Sequence, residues 1–112
     1  MSASPPEIAS LLRSAAALLE ELHARTPGGS WETAGLLASR PEVVARYDDG
    51  TTEHVADARA RSAPWLVALS PAVGGPLIAW LRTTADALEA GRLPADAAAE
   101  AASLARALLE HR

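Results

Sequence analysis

The sequence contains no cysteine, no lysine and no phenylalanine. Without cysteine, a disulfide framework, a thiolate metal site and a cysteine nucleophile are excluded together, and a reducing compartment fits. Without lysine, every basic residue is arginine. That usage, with abundant alanine, points to a coding sequence rich in G and C and carries no function. Three tryptophans and one tyrosine are the only aromatic residues. The interior must therefore be filled by Leu, Val, Ile and Ala, and alanine buries little apolar area per residue. Long apolar runs are also missing, and none reaches the length needed to span a bilayer. Met1 to Glu7 lacks the basic start and continuous apolar stretch of a secretory signal. The expectation is a cytoplasmic protein with no membrane association.

What is present describes an ordinary globular chain. Its 112 residues are 49% hydrophobic and 21% charged, which fits one domain over residues 1–112 and argues against disorder along most of its length. The formal net charge of −4 argues against a nucleic-acid binder, because affinity for phosphate grows with accumulated positive charge.

Ser4-Pro5-Pro6-Glu7 has the form of a capping box and predicts a helix start. Ile8, Leu11, Leu12, Ala15, Leu18, Leu19 and Leu22 follow at three- and four-residue steps, and Pro27-Gly28-Gly29 stops the helix by Thr26. From Ser30 to Arg40 the pattern stays open between a strand, suggested by Trp31 to Ala34 and favoured here, and a short helix, suggested by Leu36-Leu37-Ala38. Val43 to Tyr47 and Thr51 to Ala56 form a hairpin about Asp48-Asp49-Gly50. If Asp49-Gly50 makes a two-residue turn, Arg46 faces Glu53 and Val44 faces Val55. Asp57 is placed to cap a helix running toward Leu69, with Pro64 forcing a kink or a restart near Ser62. Ser70-Pro71 is a further start, although Gly74-Gly75-Pro76 can delay the helix to Pro76. Leu77, Ile78, Leu81, Ala85 and Leu88 mark its buried side, and Gly91 its end. Leu93-Pro94-Ala95-Asp96 opens a last helix with Ala97, Ala101, Leu104, Ala105 and Leu108 inward. The fold class is α+β: about four helices packed on a small two- or three-stranded antiparallel sheet.

A Leu/Ala helix, then Thr26-Pro27-Gly28-Gly29-Ser30-Trp31-Glu32, a short hairpin, Ala56-Asp57-Ala58, Leu69-Ser70-Pro71 and a helix carrying Trp80-Leu81 succeed one another along the chain. Over roughly residues 8 to 90 this order resembles the small ead-like accessory proteins of phages and actinobacterial genomes. The chain departs from that pattern at Gly29-Ser30, where the family has a proline, and at Pro64, where it has an uninterrupted apolar helix. The resemblance implies an uncharacterised accessory protein and supplies no active site.

The densest polar cluster is Asp48, Asp49, Glu53, His54 and Asp57. It could bind a divalent metal or arm His54 as a base, giving a metal-dependent enzyme. The plainer reading assigns Asp48 and Asp49 to a turn, pairs Glu53 with Arg46, and makes Asp57 a cap. No nucleophile elbow or phosphate loop occurs, so no catalytic residue, cofactor, metal or small-molecule ligand is assigned. Thr33 to Val44 faintly echoes an excisionase-like helix-turn-helix in which Arg40 and Arg46 would meet DNA, giving an alternative reading as a small acidic DNA-binding regulator. The favoured reading is a non-enzymatic accessory protein that binds another protein or a second copy of itself. Such a homodimer would form through the hairpin edge or the smooth Ala97 to Ala102 surface. Trp31, Trp65, Trp80 and Arg46 are the candidate partner-binding residues. In the structural reading, all three tryptophans fill the core instead.

Overall fold

The computed structural model describes residues 3–35, 41–59 and 61–112. Four helices and a three-stranded antiparallel sheet are present among them, so the fold is α+β. The chain divides into two compact units, one made of residues 1–24 and 76–112, the other of residues 25–75.

The first unit is helical. Helix α1 spans Pro5–Arg25. Ser4 begins it as expected, its Oγ accepting from the Glu7 amide at 3.4 Å and its carbonyl accepting from Ile8 at 3.0 Å. Prolines at the first two helical positions forfeit only amides that would have had no intrahelical partner. Helix α3 spans Pro71–Glu89 and so begins at Pro71; Pro76 lies inside it and does not delay it. At the sixth position Pro76 loses a single early hydrogen bond, to Ala72, which the next turns outweigh. The helix ends in a Schellman motif: the Arg92 amide donates to Ala87 at 2.9 Å, the Gly91 amide donates to Leu88 at 3.1 Å, and Gly91 sits at φ +71. Helix α4 spans Ala95–Glu110.

Ile8, Leu12 and Ala15 of α1, Ile78, Leu81, Ala85 and Leu88 of α3, and Ala98, Ala101, Ala102 and Ala105 of α4 form one buried cluster. The sequence pattern places α1 and α3 well, with one correction: Leu22 is exposed. On α4 the inward row shifts toward Ala98 and Ala102, while Ala97, Leu104 and Leu108 are half-buried. The alanine surface expected to receive a partner helix is thereby largely spent inside the unit. Arg13 donates to Asp86 at 2.7 Å and also to Glu89, and Arg82 donates to Glu20, so α1 and α3 run antiparallel under exposed ion pairs.

The second unit holds β1 (Ser30–Ala34), β2 (Glu42–Arg46), β3 (Thr52–Asp57) and helix α2 (Ala63–Ala68), in the sheet order β1-β2-β3. The Trp31 segment is therefore the third strand. Val43, Ala45 and Ala63 are fully buried, and α2 packs against β1 and β2. Asp57 does not cap a helix. It is the last residue of β3, and α2 begins only at Ala63, after Ser62. Pro64 then falls in the first turn of α2, where it needs no kink.

The hairpin turn also differs from expectation. The Gly50 amide donates to the Tyr47 carbonyl and the Tyr47 amide to the Thr51 carbonyl, both at 2.9 Å, with Gly50 at φ +85. This is a three-residue loop closed by a left-handed glycine rather than a two-residue turn. The register moves by one residue: Arg46 pairs with Thr52, Ala45 with Glu53 and Val44 with His54. A bulge at Val55 then absorbs the shift, so that Val43 faces Ala56 and Glu42 faces Asp57.

Gly29, in the turn before β1, sits at φ +71, and a Cβ there would lie 2.7 Å from the Arg46 carbonyl oxygen. Gly29→Ala should therefore destabilise the protein by about 2 kcal/mol or more, from backbone strain plus the clash. Gly91→Ala meets no atom and should cost about 1 kcal/mol, and Gly28→Ala should stay within about 0.5 kcal/mol. Urea unfolding of the three variants checks the order.

Candidate functional site

Strand alternation sorts the sheet residues. Glu32, Glu42, Val44, Arg46, Thr52 and His54 share one face through their pairings, while Trp31, Thr33, Val43, Ala45 and Glu53 share the other. On the first face Arg46 donates to Glu32 through Nε at 2.9 Å and Nη2 at 2.6 Å. Those bonds, with the attraction of the carboxylate, raise the pKa of Arg46. The Arg46–Glu53 pair expected from sequence does not form, because the loop is one residue longer than a two-residue turn and a one-residue slip sends a side chain to the opposite face.

Glu53 instead accepts from the Tyr47 hydroxyl at 2.5 Å. Asp49 accepts from the Thr51 amide at 2.9 Å and from its hydroxyl at 2.6 Å, which lowers the Asp49 pKa and locks the turn. Asp48 belongs to the same turn. The expected acidic cluster thus splits into three places. His54 and Asp57 stay together on the sheet, and they are joined by Glu42, a residue twelve positions before His54 and outside the cluster seen in the sequence.

His54 Nδ1 lies 2.5 Å from Glu42 Oε2, and His54 Nε2 lies 3.7 Å from Asp57 Oδ1. Without the bulge, residues 54 and 57 of one strand would point to opposite faces. Without the longer loop, His54 would lie across from Ala45 on the face away from Glu42. Both irregularities are needed, and neither is visible in residue periodicity. The three side chains can offer one donor atom each, all within 4.8 Å of one another. An imidazole with two carboxylates is a donor set for a divalent cation. Glu42 and Asp57 are like charges directly across a ladder, a destabilising pairing, and the His54 ring lies beside both carboxylates. His54 and Asp57 are exposed and Glu42 is half-buried.

Described residues at both ends of the proposed helix-turn-helix are strand: Thr33 and Ala34 in β1, Glu42 to Val44 in β2. Leu36-Leu37-Ala38 and Arg40 lie outside the described residues. Arg46, expected at DNA in that reading, is taken up by Glu32.

The tryptophans separate. Trp31 is half-buried, and its Nε1 donates to the Pro27 carbonyl at 3.1 Å, closing the turn before β1. Trp65 is 68% exposed and Trp80 is 46% exposed, so neither fills the core as the structural reading expects. In the sheet-bearing unit Leu66, Leu69 and Val73 are exposed beside Trp65 in the sequence of α2 and the first turn of α3. Between Arg61 and Arg82 the sequence carries no charged residue. No helix among the described residues is long and apolar enough to cross a membrane. Comparison with protein-family models, curated proteins and solved structures found no match.

Tyr47 is the chain's single tyrosine, so its titration can be read directly by absorbance. The hydrogen bond to Glu53, then desolvation and the carboxylate charge, raises its pKa above the ordinary 10.0. Glu53→Gln should move the midpoint back toward that value. A raised phenol stabilises the fold below its unfolded pKa and loses that contribution as pH rises through the native one. Asp49 works in the opposite sense. Its depressed pKa stabilises the hairpin above the ordinary carboxylate value of about 3.9, a contribution lost as pH falls through the lower native value. Asp49→Ala should therefore flatten the acid limb of a stability-versus-pH curve.

Proposed function

We propose that this chain is a non-enzymatic accessory protein, of the phage or mobile-element type its sequence resembles, that acts by binding another protein through α2 and the start of α3. The observation carrying this reading is the exposure of Trp65, Leu66, Leu69 and Val73 in a segment without charges. A surface that only meets water is normally interspersed with charge. Large apolar side chains left exposed together mark protein contact sites, and tryptophan is the residue most often found at their energetic centre. The partner's complementary surface is apolar, with little charge at its middle.

Other features support binding over chemistry. Two of the three side chains in the Glu42, His54 and Asp57 cluster are exposed, and the ion pairs and turn bonds on the sheet hold neighbouring side chains to structural tasks. On β3, Glu53 and Asp57 place negative charge along an edge strand, which opposes edge-to-edge pairing with a second copy.

Affinity capture from the source cell with wild-type chain and with Trp65→Ala and Leu69→Ser tests the reading. The expected result is a defined protein retained by wild type and weakened in both variants, by roughly thirtyfold for Trp65→Ala if the ring is central. Both substitutions lie at exposed positions and should leave unfolding free energy within about 0.5 kcal/mol. Light scattering after gel filtration distinguishes a second copy as the partner. Recovery of the same proteins by all three chains, each of them monomeric, would overturn the proposal.

A further inference from the structure

The helical unit contains a groove of about 490 Å³, bordered by Pro5 and Ile8 of α1, Leu88 of α3, Leu93, and a row of α4 residues from Ala95 to Arg106. That volume lies within the range of small-molecule sites. The groove exists because α4 presents alanine along it, at Ala98, Ala99 and Ala102, where longer side chains would have filled the space. The side chains that line it are those of Ala, Pro, Ile and Leu together with Arg106, the one charged side chain among them. Arg13, Arg46 and Arg82 are each held by carboxylates. Arg106 has no hydrogen bond or ion pair among the described residues.

From Ala95 to Arg106 the row tracks the helix for about 16 Å, at 1.5 Å per residue. The site is therefore a narrow trough of apolar side chains with a single, exposed cation at one end of its α4 row. An apolar trough holds water poorly, because water needs several polar partners to stay. A guanidinium pairs best with a planar, bidentate anion. We propose that this groove binds a free medium-chain alkyl carboxylate, with the chain lying along the α4 alanines and the carboxylate on Arg106. The chain shields Pro5, Leu93, Ala95 and Ala99 from water, and the head group supplies a partner for Arg106. A cationic amphiphile of equal length has no acceptor for the guanidinium and is repelled by it. A neutral alcohol gains the apolar contact alone.

This ligand site is independent of the protein-binding reading, since it uses none of the residues of α2 or the first turn of α3. Calorimetric titration of the full chain with decanoate, decanol and decyltrimethylammonium, each below its micelle concentration, tests it. Decanoate should bind saturably at one site. Each methylene removed should weaken binding about fourfold, as burial of one methylene implies. Arg106→Gln should weaken decanoate about tenfold or more while leaving decanol unchanged. Ala99→Trp, at an exposed position on the groove wall, should abolish binding of both with the circular dichroism spectrum preserved. Decanol binding as tightly as decanoate, Arg106→Gln binding decanoate like wild type, or only non-saturable uptake of all three amphiphiles would each overturn the proposal.

Discussion

Helices that meet through alanine lie with their backbones close, and little volume remains between them for a large ring. In the helical unit that constraint decides which side chains can be inside. Ala9, Ala15 and Ala16 of α1, Ala85 of α3 and four alanines of α4 are buried, with Leu12 and Leu81 as the largest side chains fully enclosed. An indole inserted there would force the helices apart and cost more contact than it brings. The same smallness that excludes Trp80 from the interior leaves a trough where α4 alanines meet Ile8 and Leu88 without filling the space. The exposed ion pairs of Arg13 and Arg82 run along the outside of this packing and add little to its stability.

The sheet unit depends on a different detail, the number of residues in one turn. Asp49 and Gly50 have the chemistry to turn the chain by themselves. Asp49 instead turns back onto Thr51, and Gly50 takes the left-handed position of a three-residue loop. One added residue moves every pairing nearest the turn, and the bulge at Val55 restores the register farther along. Between these two irregularities a histidine and two carboxylates meet on the exposed face. Sheet geometry of this kind re-aims side chains without changing which residues form strands.

In the sheet-bearing unit the large exposed apolar residues fall in α2 and the segment after it. Helix α2 has six residues and buries only Ala63, so Trp65 and Leu66 face outward almost by default. A helix that short cannot sustain itself by hydrogen bonding and needs tertiary support. It finds some against β1 and β2, and its remaining apolar surface is what the proposed partner would cover.

The sequence by itself determined most of the elements: the capped start at Ser4, the stop before Pro27, the two strands of the hairpin, the break near Ser62 and the left-handed end at Gly91. Each is decided within a few residues by a cap, a proline or a glycine, and local chemistry of that kind survives any tertiary arrangement. Periodicity also marked most buried positions of α1 and α3. It could not say that Asp57 ends a strand rather than starting a helix, because the same side chain suits both places. Nor could it bring Glu42 to His54, find the trough beside Arg106, or tell exposed tryptophans from buried ones. Those depend on strand register and on the spacing between helices, which are settled only when distant segments compete for the same volume.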